Sequence, residues 1–177
     1  MRPIVVLVTF YSRDGRTETL ALSHAVGAVQ ARALIRLRRV ADATPAGEFT
    51  DANDPLRRML KEYVVPTEAD VLGANAIAVA PSPGSSISSP EWASFITLLD
   101  QLGHAGKLTG KVAAVIDTGD RATTNSFASA LLSSGLVVVP AADCASEATP
   151  PFATGHGRRL AETARALDSY SSRPVSR

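Results

Sequence analysis

The sequence predicts a three-layer α/β fold built on a doubly wound, five-stranded parallel sheet in the order 2-1-3-4-5. Three observations point there. Four apolar runs recur, IVVLV (4–8), AIAVA (76–80), VAAVI (112–116) and LVVVP (136–140), each nearly continuous rather than alternating. Strands of that kind are covered on both faces, as in parallel sheets. Segments of helical periodicity separate them, so strand and helix alternate along the chain. With a fifth, weaker strand the alternation favours the 2-1-3-4-5 order, in which a ligand sits beyond the carboxyl ends of the strands next to strand 1.

The elements follow in order. The opening MRPIVVLVTFY has the look of a secretory signal, but charged residues follow directly and no small-residue cleavage site appears, so it reads as a buried strand. The helix over 17–32 carries Leu22, Val26 and Val29 on one apolar stripe, the pattern of a core-facing surface. ALIRLRRV (33–40) alternates apolar and basic residues. It reads as an edge strand with one face in water, its arginines blunting the edge. Residues 41–74 form a looser connection with a short helix at 55–63. A helix over 90–103 opens on Pro90, a favoured first position. Another over 123–135 ends on Gly135, a plausible cap. The last, 157–170, places Leu160, Ala164 and Leu167 on one face. Residues 1–170 are therefore one domain, and 171–177 (SSRPVSR) a flexible tail.

Composition narrows the function. Apolar residues make up 45% and charged residues 20% of 177, which suits a globular protein. Lys+Arg 18 against Asp+Glu 17 gives a formal charge of +1, with no bias toward nucleic acid or another polyanion. The one cysteine, Cys144, excludes an internal disulfide framework and suggests a reducing compartment. It reads as a small buried hydrophobe. No stretch approaches the ~18 apolar residues of a membrane span, so a soluble, cytoplasmic protein is expected. His24, His104 and His156 lie far apart without metal-ligand spacing. They read as structural or surface histidines, and no metal is expected.

Three loops leave the central part of the predicted carboxyl edge: 10–17, 81–89 and 117–124. The first, TFYSRDGRTETLA (9–21), passes from strand to helix through hydroxyls, a glycine and two arginines. Such a turn presents backbone N–H groups and the positive end of a helix dipole, which suits a phosphate. Ser12 and Thr17 offer hydroxyls, Gly15 lets backbone approach, and Arg13 or Arg16 supplies charge. The plainer reading is that Ser12 or Asp14 only caps the helix. The second loop, PSPGSSISSP (81–90), can bring backbone against a flat ligand or be an ordinary turn. The third, DTGDRATTN (117–125), can line the other side of that ligand or cap the next helix.

Other motifs fail. VIDTGD matches an aspartic-protease signature, but those enzymes are β-structured and pair two such aspartates. A receiver domain needs an aspartate ending strand 3, where this chain has Pro81 and Ser82. No G-x-S-x-G elbow, Walker loop or G-x-G-x-x-G occurs.

Taken in order, the segments resemble the flavodoxin-like, WrbA-type NAD(P)H:quinone oxidoreductases that bind FMN. VVLVTFYSRDGRTETLA is similar to the family's first strand and phosphate loop, and RLRRVAD to its second strand. YVVPTEADVLGANAIAVAPSP resembles the run into its third strand and ring-binding loop. SPEWASFITLLDQLG, with Asp100 and Gln101, resembles the next helix. GKVAAVIDTG and LLSSGLVVVP resemble strands 4 and 5, and GHGRRLAETARAL the last helix. The resemblance implies FMN at these loops and electron transfer from NAD(P)H to a quinone-like acceptor, with no nucleic-acid or membrane partner and a homodimer or homotetramer. It implies a phosphate site at Ser12, Arg13, Gly15, Arg16 and Thr17. It implies a ring loop at Pro81, Ser82, Pro83, Gly84, Ser85, Ser86 and Ile87, and a third loop beginning Thr118, Gly119, Asp120. The chain departs from the family where Pro-Thr-Arg-Phe-Gly-Asn is replaced by PSPGSS, without arginine or aromatic. Its third loop and the 140–156 connection are shorter. Two rivals stand beside the oxidoreductase: a one-electron carrier, which the near-neutral charge disfavours, and a domain that has lost FMN and serves in binding or assembly. No residue presents itself as a general acid or base.

Overall fold

The computed structural model describes residues 3–43, 54–141 and 148–171. Among them the order is β1 (Val5–Phe10), α1 (Arg16–Gln30), β2 (Leu34–Arg39), α2 (Pro55–Glu62), α3 (Glu68–Gly73), β3 (Ala76–Ala80), α4 (Pro90–His104), β4 (Val112–Val115), α5 (Arg121–Ser133), β5 (Val137–Val138) and α6 (Pro150–Ser171). The strands pair in parallel in the order β2-β1-β3-β4-β5, as the alternation predicts. Cys144 and residues 172–177 lie outside the described residues, and the backbone of Ser171 is the last of α6.

The faces of the strands sort the helices into two layers. Val6, Val8 and Phe10 of β1, Ala76, Ala78 and Ala80 of β3, and Val112 and Ala114 of β4 join α1 and α6 in one core. Their neighbours Leu7, Ile77, Val79, Ala113 and Val115 join Trp92, Phe95 and Leu99 of α4 and Phe127 and Leu131 of α5 in the other. Successive residues of a strand point to opposite faces, so continuous apolar runs build both cores at once. On the first face β3 contributes only alanines, which lets α1 and α6 settle close to the sheet.

Those two helices meet backbone to backbone. A Cβ at Gly27 would stand 1.8 Å from the Thr154 carbonyl oxygen, and one at Gly157 1.9 Å from the His24 carbonyl oxygen. This contact overrides the apolar stripe of α1. Leu22, Val26 and Val29 face solvent, at 42%, 51% and 56% exposure, while Leu20, Ala21, Ala25 and Ala28 are buried. Small residues win the inner face because the approach of α6 leaves no room for larger ones.

Several other expectations are corrected. Strand β2 is an edge strand as expected, but its arginines are engaged rather than free: Arg38 forks onto Asp70 of α3 through Nε and Nη2, both at 2.9 Å, and the partly exposed Arg36 lies 3.5 Å from the same carboxylate. The edge itself is partly paired, with the Arg39 N–H donating to Val64 O at 3.2 Å. Helix α3 begins at a capping box, Thr67 with Asp70. Helix α6 starts at Pro150 rather than residue 157, the Pro–Pro pair suiting a first turn where N–H groups lack intrahelical acceptors. Strand β5 spans two residues and stops before Pro140. The cap at Gly135 is confirmed: φ is +83° and its N–H donates to Leu132 O.

Two histidines far apart in sequence meet between α1 and α6. The rings of His24 and His156 pack edge to face, centroids 5.3 Å apart. His156 Nε2 lies 3.0 Å from Val139 O, whereas neither ring nitrogen of His24 has a partner among the described residues. Burial, with the neighbouring His156 adding to it, lowers the His24 pKa to about 3. His156 is lowered too, by burial first, against the pull of Val139 O and Asp117.

Two predictions follow from this layer. Gly27→Ala drives a methyl into the α6 backbone and should destabilise by about 2–3 kcal/mol, the scale of overpacking. Gly155→Ala, with nothing within 4 Å of its Cβ, should stabilise by about 0.5–1 kcal/mol through helix propensity; denaturant unfolding of both reads the contrast. The second concerns pH. A histidine held neutral in the fold binds its proton only when unfolded, so stability is complete above the unfolded pKa near 6.5 and falls as pH drops toward the folded value of about 3. By pH 4.5 His24 alone should remove roughly 2–3 kcal/mol. His24→Leu should flatten the pH 4.5–7 stability profile by that amount, and an unchanged profile would exclude His24 as its source.

Candidate functional site

The chain leaves the sheet at Phe10, next to the point where strand order reverses. The ladder ends with Val40 N–H on Phe10 O and Tyr11 N–H on Ala80 O. Residues 11–15 then turn into α1. Gly15, at φ +87°, is the residue before its first turn, a left-handed conformation that side chains disfavour. Ser12 is fully buried and its Oγ accepts the Gly15 N–H at 3.0 Å. Asp14 Oδ1 accepts the Arg16 N–H at 3.0 Å, and its carboxylate lies 3.3 Å from Arg16 Nε. Neither side chain caps the helix as expected: the N-cap is Gly15, without a side-chain cap bond, and Ser12 and Asp14 instead hold the turn that precedes it.

A cavity of about 710 Å³ opens against this turn, within the range of small-molecule sites. Of the sequence-predicted site residues, Arg13, Arg16, Thr17, Ser82, Pro83 and Thr118 line it; Tyr11, Asp14, Thr19, Leu20, Ala148 and Pro150 complete the wall. Thr17 and Ser82 bridge the first two loops, their hydroxyls 3.4 Å apart, and Ser82 donates to Tyr11 O at 2.7 Å.

The remaining predicted residues form the frame behind the wall. Pro81 O accepts from the Thr118 hydroxyl at 2.8 Å. Gly84, at φ +77°, gives its N–H to Asp120 Oδ2 at 2.9 Å, and Ser85 O accepts from Thr123. Asp120 also caps α5 through Ala122 and Thr123. The Thr123 hydroxyl and the Gly84 N–H hold its carboxyl below the usual range. Ser86 bonds within its own loop to Ser88 and Ser89, Ile87 packs on the α4 side of the core, and Gly119 donates to Asp117.

Two buried networks support the first loop, and sequence reasoning missed both. Arg39, at the end of β2 and 3% exposed, donates to Ser12 O from Nε (3.2 Å) and Nη2 (2.9 Å). Its other donors reach Asp42 and Val40 O. Tyr11 O–H also donates to Asp42, at 3.0 Å, and the guanidinium lies 5.3 Å from the Tyr11 ring centre. Burial raises the Asp42 pKa, but the bonds from Arg39 and Tyr11 outweigh it and hold the carboxyl low. Tyr11 shifts up, from burial first and Asp42 second.

The second network anchors the first turn of α1. Glu18, 3% exposed, accepts Arg58 Nη1 at 2.9 Å, Arg58 Nη2 at 2.5 Å and Tyr63 O–H at 2.6 Å. Burial pushes Glu18 up, and these donors more than reverse it; burial and Glu18 together raise Tyr63 to about 12. The carboxylate is thereby neutralised by α2 instead of adding free negative charge beneath the loop. The sequence signal for both networks was weak: single charged residues scattered over 30 positions or more, legible only once the sheet order brings β2 and α2 beside the loop.

No protein-family model matches the chain. An NAD(P)H dehydrogenase (quinone) of Azorhizobium caulinodans is 33% identical over 141 residues, covering 76% of this chain and 69% of the relative. One of Archaeoglobus fulgidus is 28% identical over 143 residues, covering 76% and 74%. Among solved structures, a WrbA-like flavodoxin protein from Agrobacterium tumefaciens superposes with TM-score 0.59 at 18% identity, covering 93% of this chain and 99% of that one. An archaeal flavodoxin superposes with TM-score 0.61 at 15% identity, over 92% and 99%. The sheet order, the helix-opening loop beside β1 and this relationship over most of both sequences agree, and the chain belongs to the flavodoxin-like NAD(P)H dehydrogenase (quinone) family.

Proposed function

We propose that the cavity binds FMN and that the protein transfers electrons from NAD(P)H to a quinone-like acceptor. The observation that carries the reading is the left-handed Gly15 opening α1 onto a cavity lined by Arg13, Arg16 and Thr17. A terminal phosphate would find there the start of α1 and the guanidiniums of Arg13 and Arg16 on the wall of a ligand-sized space, Arg16 being paired with Asp14. When bound, FMN supplies the two-electron chemistry between nicotinamide and quinone. The chain's own residues bind and orient. Thr17 and Ser82 offer hydroxyls on the wall, and Pro83 and Thr118 bound the space beyond them. Tyr11 O–H is directed to Asp42, so no side chain of the wall is assigned a proton-transfer role.

The ring end is sparser. Among the described residues Tyr11 is the one aromatic of the wall, and Gly84, Ser85 and Asp120 are engaged in joining loop to loop. That favours weak retention of the ring. It is also the observation behind the second reading, a family member that has lost FMN and acts in binding or assembly.

The phosphate assignment predicts a rank order. FMN should bind at least ~10-fold more tightly than riboflavin, one or more charge-assisted hydrogen bonds of ~1.5–3 kcal/mol being lost with the phosphate. Gly15→Val, strained at φ +87°, should lose that advantage. Flavin fluorescence titrations, together with NADH- and NADPH-driven reduction of a soluble benzoquinone, check this. Equal affinities for the two flavins exclude the phosphate site, and binding of neither selects the second reading.

The ring end predicts a gain. Pro83 lines the cavity, whereas Gly84 needs its positive φ. An aromatic residue should therefore be placed at Pro83. Pro83→Tyr should tighten FMN by roughly 2–10-fold, the ~0.5–1.5 kcal/mol of an aromatic contact. The same titration reads it, and riboflavin should gain equally.

A further inference from the structure

We infer that Arg39 is the positioning residue of the phosphate loop: by holding the Ser12 carbonyl inward it aims the Arg13 N–H at the anion. This rests on the cofactor reading above. The Ser12 carbonyl and the Arg13 N–H belong to one peptide unit, and in a trans peptide they point in opposite directions. No peptide bond among the described residues is cis. Arg39 places two donors on Ser12 O, at 3.2 and 2.9 Å, from a site 3% exposed to solvent. The carbonyl is fixed toward the interior. The other end of the unit then faces the cavity that Tyr11 and Arg13 line.

Only a guanidinium does this here. Its five N–H groups are all engaged: Nε–H on Ser12 O, Nη1 on Val40 O and Asp42, Nη2 on Ser12 O and Asp42. The donors form a planar fork, which a lysine ammonium cannot reproduce. Asp42, 2.8 Å from Nη1, neutralises the charge locally. Arg39 therefore acts by orienting backbone rather than by attracting the phosphate through space. It should discriminate between ligands with and without a phosphate.

The test compares wild type with Arg39→Lys, which keeps the charge, and with the double variant R39M/D42N, which leaves no lone buried charge. FMN and riboflavin are titrated into each, folding is checked by thermal unfolding, and the Arg13 amide is followed by ¹H–¹⁵N spectroscopy as inorganic phosphate is added. The expected result is FMN binding at least tenfold weaker in both variants, riboflavin within twofold of wild type, and no rescue by lysine. Both flavins weakening equally, or FMN unchanged, overturns the proposal. If wild type binds neither flavin, the cofactor reading fails by itself and the phosphate titration decides Arg39. A phosphate-dependent Arg13 shift in wild type that Arg39→Lys abolishes supports the role. A shift equal in both, or absent in wild type, overturns it.

Discussion

A peptide unit cannot turn its carbonyl and its N–H to the same side, and the candidate site is built around that constraint. A backbone that is to offer donors to a ligand must find other donors for its carbonyls behind the wall. The loops do this repeatedly. Arg39 takes Ser12 O, the Ser82 hydroxyl takes Tyr11 O, the Thr118 hydroxyl takes Pro81 O and the Thr123 hydroxyl takes Ser85 O. Each bond joins a different element to a loop, so the three loops are locked to one another as well as turned. The serines and threonines concentrated at this edge supply compact donors where buried carbonyls would otherwise go unpaired.

This rigidity depends in turn on the layer beneath. Helix α1 carries the proposed phosphate loop at its start, and its position is set by contact with α6 at Gly27 and Gly157. Van der Waals contact between backbones leaves little freedom to slide, because displacement in one direction meets carbonyl oxygens. The same closeness buries His24 and His156 against each other, neutral and depressed in pKa. Glu18 and Arg58 fix the rotation of α1 from its other side. One helix is thus held by glycine contact with α6 and by an ion pair with α2, and its first turn has little room to drift.

Most of the fold was legible because burial on both faces leaves a signature in every strand. IVVLV and AIAVA read as covered strands, and they became β1 and β3 at the centre of the sheet. What misled was selection by shape rather than by hydrophobicity. Leu22, Val26 and Val29 form the more apolar stripe of α1, yet alanines and a glycine face inward because α6 comes so close. The arginines of β2 looked like solvent-facing edge residues. Arg36 and Arg38 instead meet Asp70, and Arg39 sits behind a loop 27 residues earlier in the chain. At the site, a glycine among hydroxyls before a helix marks from sequence alone the loop proposed to take the phosphate. No local pattern reveals that Asp120 serves Gly84, since that bond exists only after β3 and β4 lie side by side.

The two ends of the cavity also differ in how they treat their own donors. At the phosphate end, the Gly15 and Arg16 N–H groups are held by Ser12 Oγ and Asp14 Oδ1, with Asp14 solvent-exposed beside Arg16. Those contacts keep the loop in its turn; the buried Ser12 bond is part of its frame, whereas the exposed Asp14 side chain can yield to a better acceptor. On the proposed reading a phosphate dianion is such an acceptor, with Arg13 and Arg16 on the cavity wall beside it. At the ring end the loop donors are committed differently: Gly84 N–H is bound to Asp120, which also caps α5. One carboxylate thus holds both the loop and the start of α5, through Oδ2 and Oδ1 respectively, so this end is a fixed frame with little to offer beyond shape. Affinity in such a site must come from the phosphate end, and the ring would be left accessible to a donor and an acceptor in turn, which suits electron exchange better than storage of a cofactor.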